Sequence, residues 1–295
     1  MGYVQGIKIL LVFFLSVPGA FAYDTQKPNL EDLNRAIAMN PKAANAYYDR
    51  GLLLYKQKDY PRAIADFSQA INIDPKDAQA YYFRANAYAA QHQHAEAIAD
   101  YNKVLDVDPQ DATVYYNRSL SFQELGSINQ AIADLNQAIK IDPNYSESYH
   151  NRGLLWDREG DLHQAVADLT QAIELNPSLA EAYYNRGIIY EKQNKRIDAI
   201  NDFSHAIKLN PSYAESYSNR GEVYVQQDDF AQARFDFTKA IDINPKIAQS
   251  YNNRAIVYFQ LKQYAKAWED LQEAKQLGYA VDPEFIATVK KAVDR

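Results

Sequence analysis

The chain has 295 residues, with 31 basic and 38 acidic side chains, a net charge of −7, no cysteine and 24 tyrosines. An acidic balance with no evident basic patch argues against a phosphate-binding surface, so nucleic acid is not an expected partner. The missing cysteine excludes disulfides, thiolate metal sites and cysteine nucleophiles. Hydrophobic residues at 47% and charged residues at 23% fit an ordered chain.

At the start, Lys8 precedes the apolar run Ile9 to Val17, followed by Pro18-Gly19 and Ala20-Phe21-Ala22. A cationic start, a short apolar stretch and a small-x-small ending are expected to form a secretory signal over 1–22, cleaved between Ala22 and Tyr23. The run is shorter than the ~20 residues that span a bilayer comfortably, and an uncleaved membrane anchor is the alternative. No cysteine follows the small residues, so a bacterial lipid anchor is not expected. The expected location is the periplasm or the extracellular space. Residues 23–43 read as a short polar link and a capping helix over 28–40, which has the pattern of a second helix without its first.

From residue 44 the chain repeats. Proline recurs at 41, 75, 109, 143, 177, 211 and 245, a period of 34 residues. A fixed period of that length marks a solenoid, in which each unit buries its apolar face on its neighbours. Counting slots from Ala44 gives seven units: 44–77, 78–111, 112–145, 146–179, 180–213, 214–247 and 248–281. Slot 4 is Tyr in every unit (Tyr47 to Tyr251), slot 8 is small and slot 11 is large. Those spacings share one face of a first helix. Slot 20 is always Ala, slot 24 is large and apolar, and slot 27 is Ala except for Val104. These form one face of a second helix, which the proline at slot 32 stops. The fold class expected is all-α, a stack of helix hairpins. The last unit ends in Leu277-Gly278-Tyr279, and 282–295 reads as a C-terminal capping helix reaching Val293.

This pattern resembles the tetratricopeptide repeat (TPR) family over nearly all of 44–281. The resemblance implies a right-handed superhelix whose first helices line a concave groove that binds a protein partner. Chaperone-binding members hold a C-terminal carboxylate with Lys at slots 2 and 5. Here slot 2 is Asn, Gln, Thr or Glu and slot 5 has no Lys, so that role is not expected.

Slot 7 is Arg throughout (Arg50, Arg84, Arg118, Arg152, Arg186, Arg220, Arg254) and slot 23 is Asp throughout (Asp66, Asp100, Asp134, Asp168, Asp202, Asp236, Asp270). Both lie on inward faces, and an unpaired buried charge is costly. The expectation is a ladder of structural Arg–Asp ion pairs within each repeat, with an anion-binding column as the alternative.

Slots 2, 5, 6, 9, 12 and 13 of the first helix are expected to lie opposite the buried stripe. Slot 6 reads Asp49, Phe83, Asn117, Asn151, Asn185, Asn219 and Asn253. Asn is a mediocre helix former, and an amide supplies the donor and acceptor that hold an extended backbone. The series resembles the asparagine ladders of some TPR and armadillo-type proteins; simple copying of one unit is the alternative. Tyr48, Tyr55, Tyr82 and Tyr116 make one half of the groove aromatic. Glu124, Glu147, Asp157, Glu181, Glu191, Glu215 and Glu222, against Arg158 and Lys192, make the remainder acidic. Such a groove suits a neutral to basic extended segment with an apolar end.

No enzyme is expected. His92 and His94 share a turn without a third ligand, His150, His163 and His205 lack a nucleophile at defined spacing, and there is no glycine-rich phosphate loop. No cofactor or metal is implied. The leading reading is an exported adaptor for an extended peptide segment. The alternative is a structural scaffold that self-associates through its convex face, with Arg234 and Trp268 as irregular outer residues.

Overall fold

The computed structural model describes residues 29–295, and every regular element among them is a helix. The expected signal over 1–22 and the link over 23–27 lie outside the described residues. After α1 (Leu30–Met39) come seven hairpins: α2 (Ala44–Lys56) with α3 (Tyr60–Ile73), α4 (Ala78–Ala90) with α5 (His94–Val107), α6 (Ala112–Glu124) with α7 (Ile128–Ile141), α8 (Ser146–Glu159) with α9 (Leu162–Leu175), α10 (Ala180–Lys192) with α11 (Arg196–Leu209), α12 (Ala214–Val225) with α13 (Phe230–Ile243), and α14 (Ala248–Gln260) with α15 (Tyr264–Gln276). The last helix is α16 (Pro283–Val293). Each helix packs on its hairpin partner and each second helix on the next first helix. First helices of adjacent repeats also approach one another (α2 and α4, α8 and α10, α12 and α14), so they form the inner rank of the stack.

The proline beat has a local cause. Before each proline stands Asn40, Asp74, Asp108, Asp142, Asn176, Asn210 or Asn244, whose side-chain oxygen accepts the backbone N–H two residues on at 3.0–3.2 Å. An Asx turn closed over a residue with fixed φ ends the second helix and aims the chain into the next repeat. Slot 15, the turn inside each hairpin, is left-handed in all seven units: Lys58, His92, Gly126, Gly160, Asn194, Asp228 and Lys262. His92 is therefore a turn residue.

The core differs from the expected stripe. Slot 3 (Ala46 to Ser250) is buried in every first helix, and slot 10 is buried from Ala87 to Val257. Both pack on the preceding second helix, as Val114 does against Leu105 and Ile189 against Leu169. Slot 4 tyrosines are only half-buried. The alanines at slot 20 have no exposure, which lets paired helices approach closely.

In five repeats slots 8 and 24 are matched in volume, while Ala85 with Tyr101 and Gly153 with Leu169 depart from the match. A Cβ on Gly51, Gly187 or Gly221 would lie 2.7, 2.8 or 2.9 Å from the ring of Phe67, Phe203 or Phe237. Where slot 24 is Leu135 or Leu271, slot 8 carries the larger Ser119 or Ala255. At the C-terminal end, Phe285, Ile286 and Val289 of α16 join Ala255, Leu271 and Trp268 in one cluster. Trp268 is thus packed under the cap and is not a free outer residue; Arg234 is exposed.

The volume match sets a test. Gly187→Ala is expected to cost about 1–3 kcal/mol by overpacking against a ring that cannot move away. Combined with Phe203→Leu, the loss in urea unfolding should be smaller than the sum of the two single losses. Strict additivity would refute the match.

Candidate functional site: the groove of the first helices

Two ladders run along the stack. In the first, each slot 7 Arg donates from Nε and Nη2 to the two oxygens of the Asp 16 residues later. The distances are 2.6–2.8 Å from Arg50–Asp66 through Arg254–Asp270. The Arg side chains are 15–22% exposed and the Asp side chains 0–8%. Burial pushes the carboxyl of Asp236, the deepest of them, upward against the pull of Arg220. The remaining nitrogen, Nη1, reaches the residue 16 positions earlier, on the second helix of the preceding unit. There it meets Asn34, Ser68, Asn102, Asn136, Thr170, Ser204 or Thr238 at 2.5–3.2 Å. The guanidinium carbon lies 5.4–5.8 Å from the centroid of the slot 4 Tyr. In five repeats it also lies 5.7–6.0 Å from the slot 11 ring, within cation–π range. With all three donor edges engaged, these arginines form no anion-binding column.

The second ladder joins first helices. Asn117 Nδ2 donates to Tyr82 Oη (3.1 Å), Asn151 to Tyr116 (2.8 Å) and Asn219 to Tyr184 (3.3 Å), each 35 residues back. Asn185 Nδ2 lies 3.0 Å from His150 Nε2. Burial pulls His150 down to about 4, so at neutral pH the imidazole is uncharged and its Nε2 accepts. Asn253 turns instead to Glu222 Oε1 (2.9 Å). Asn117, Asn151, Asn185 and Asn219 therefore each spend one N–H on the preceding repeat, leaving a second N–H and the carbonyl oxygen for another group, whereas the Asn253 oxygen also accepts Asn252 Nδ2 at 3.4 Å.

Other groove positions are more covered than their slots imply. Phe83 is buried against Phe67 and Leu54, and slot 9 holds buried Asn86 and half-buried Leu52, Leu120 and Leu154. Tyr116 is 7% exposed, and burial pushes its hydroxyl up to about 12. It belongs to the core more than to a contact surface, because its ring is already packed. Tyr48 and Tyr82 are half-buried, edge-on to Phe83 at 6.1 and 5.2 Å. In the acidic part, Asp157 is paired with Lys192 at 2.6 Å. Glu222 accepts Gln249 (2.8 Å) and Asn253 on one oxygen, and Glu191 accepts Gln226 (3.1 Å). Burial first, and then Glu191, push Glu222 up to about 7.

Among the described residues no group of three His, Asp or Glu side chains could hold a metal, and no helix is long and apolar enough to cross a membrane. A shallow cleft at the turns of the fourth and fifth repeats brings His163 beside Glu159, Asp161, Gln193 and Lys195, without a nucleophile.

Comparison with known proteins agrees with this geometry. Family profiles described as TPR repeat match 85–126, 120–156 and 158–194, and profiles described as tetratricopeptide repeat match 44–77, 180–213, 214–247 and 237–269. The chain belongs to the tetratricopeptide repeat family, whose fold is generally a non-catalytic scaffold for protein–protein interaction. No curated protein matches its sequence. Among solved structures it is similar to YrrB, described as a TPR protein with an unusual peptide-binding site, at 26% identity over 64% of this chain and 97% of YrrB (TM-score 0.54). It shares its fold with a TPR protein from Parabacteroides merdae at 20% identity over 85% of this chain and 99% of that one (TM-score 0.62). The same holds for the C-terminal part of a TPR protein from Cytophaga hutchinsonii, at 18% identity over 84% and 98% (TM-score 0.67).

The raised Glu222 carboxyl has a measurable sign. A folded-state value of about 7 against the ordinary 4.5 means that the folded chain holds this proton more tightly than the unfolded chain. The stabilisation is complete below the unfolded value and is lost as pH rises through 7. Glu222→Gln, which keeps both accepted hydrogen bonds, should match the parent at pH 4.5 and exceed it by about 1–2 kcal/mol at pH 8 in urea unfolding. A difference independent of pH would contradict the assignment.

Proposed function

We propose that the chain is an exported protein-interaction adaptor whose inner rank of first helices holds an extended, neutral to basic segment of a partner. The observation that carries this reading is the amide series Asn117, Asn151, Asn185, Asn219 and Asn253. Each amide is held by one hydrogen bond to the preceding repeat, and all but Asn253, whose oxygen accepts Asn252, keep a donor and an acceptor free. A side chain fixed in this way loses little further freedom on binding, which favours affinity. Half-buried Tyr48 and Tyr82 suit the apolar end of such a segment, and Glu191, Glu215 and Glu222 suit its cationic part. Export rests on the sequence of residues 1–22, with a membrane anchor as the alternative.

A second reading, a scaffold acting through the outer rank, has its own support. Ile197 and Phe235 on second helices are 73% and 51% exposed, and Lys239 Nζ lies 5.8 Å from the Phe235 ring. Concentration-dependent assembly in light scattering, abolished by Phe235→Ser, would favour it.

The groove is tested by a matched pair. Asn151→Ala with Asn185→Ala should weaken binding of the native partner, recovered by crosslinking, about tenfold or more. Each substitution also removes a link worth about 1 kcal/mol, so Tyr116→Phe, which deletes the Asn151 acceptor and spares the amide, is the control. Affinity lost in the Asn variant and kept in the control supports the grip. Equal effects in both would remove the amides from the account.

A further inference from the structure

Two aromatic side chains at the groove come from outside the first helices. Tyr145 and Tyr213 stand at slot 34, the N-cap positions of α8 and α12, where the other units carry Asp77, Asp111, Leu179, Ile247 and Val281. The proline turn sets their backbone: the N–H of Tyr145 bonds the carbonyl of Asp142 at 3.2 Å, and that of Tyr213 bonds Asn210 at 3.1 Å. The Tyr145 ring packs on Tyr116 with centroids 5.0 Å apart, and Tyr213 packs on Tyr184 at 4.7 Å. The supporting rings are themselves held, Tyr116 by Asn151 and Tyr184 by Asn219. The same two-ring stack therefore occurs twice, two repeats apart, with His150 and Leu179 at the equivalent slots between. Tyr145 and Tyr213 are half-buried, and neither hydroxyl has a hydrogen-bond partner among the described residues.

The field at both stacks is negative. Burial first, then Tyr116, Glu147, Tyr82 and Asp111, push the Tyr145 hydroxyl upward; burial, Tyr184, Glu181 and Glu215 do the same at Tyr213. Among the described residues no cation lies over either ring, and neither Glu147 nor Glu215 forms an ion pair. Elsewhere the chain shows seven times what occupies a tyrosine face beside a carboxylate: a guanidinium, 5.4–5.8 Å from the slot 4 ring.

We propose that Tyr145 and Tyr213 are two shelves, on each of which an arginine of the bound segment lays its guanidinium, with Glu147 answering the charge at the first and Glu215 at the second. The proposal rests on the groove holding an extended segment, and it names the side chains that segment carries. A planar guanidinium stacks on an aromatic face and keeps its edge for a carboxylate, which an ammonium does not do. Adjacent packed helices lie about 8–10 Å apart, so two repeats separate the shelves by about 16–20 Å. An extended chain covers that distance in about five or six residues, which sets the spacing of the two arginines.

The probe is an end-blocked serine peptide with two arginines separated by four serines, labelled for fluorescence anisotropy and titrated with the full chain. Leu179 fills this slot in the fourth repeat, so Tyr145→Leu and Tyr213→Leu should fold normally, as circular dichroism melting will verify. The parent chain should bind the probe saturably. Each Leu variant should bind at least fivefold more weakly, and so should the parent chain when the arginines are adjacent or replaced by citrulline. Absence of saturable binding, or affinity indifferent to these changes, would overturn the proposal. The amide grip fails separately. Binding lost in the Leu variants and kept in Asn151→Ala with Asn185→Ala upholds the shelves and removes the amides; the reverse pattern keeps the amides and overturns the shelves.

Discussion

Each repeat is organised around an arginine that has no freedom left. Its side chain leaves the first helix over the ring of a tyrosine, grips both oxygens of an aspartate 16 residues ahead, and touches an amide or hydroxyl 16 residues behind. Taking these charges out of water is costly and is offset only when every donor finds an acceptor. The acceptors sit on two different second helices, so satisfying one guanidinium fixes both the hairpin and its neighbour. The alanines at slot 20 then become necessary, because only a small side chain lets the helices approach closely enough for the fork to reach. Asn34 gives α1 its place in the same scheme: it supplies the rear acceptor that Arg50 would otherwise lack.

The inner rank follows a parallel rule with a different offset. Four of the five amides at slot 6 bind the residue 35 positions back, and Asn253 binds Glu222, tying first helix to first helix. In the function proposed above, structure and recognition share the same side chains, because the amides offered to an extended segment are already held in place. The acidic side works likewise. Glu222 is packed under two amide donors and beside Glu191, so a cation placed there would relieve a charge that burial disfavours.

Much of this was legible in the sequence. The invariant Arg and Asp announced themselves because opposite charges on two inward faces must answer each other, and the proline beat gave the hairpins. Slot 25 escaped notice because Asn, Ser and Thr all supply the oxygen that Nη1 needs, so the position varies in name while its chemistry is constant. Slots 3 and 10 were hidden for a similar reason: Ala, Ser, Val, Leu and Ile fill one interface of changing width. The left-handed turn at slot 15 is met by Lys, His, Gly, Asn and Asp, with no common residue to reveal it. Tyr116 read as a groove residue because helical periodicity places it outside, while the approach of the next first helix covers it.

The central claim, that the arginine couples neighbouring repeats as well as closing its own, is tested most directly by native-state hydrogen exchange in Arg152→Lys. This variant keeps the charge and loses the three-way fork. The account predicts that amides of α7, which carries Asn136, and of α9, which carries Asp168, both open at lower free energy. Loss of protection confined to α9, with α7 unchanged, would contradict it.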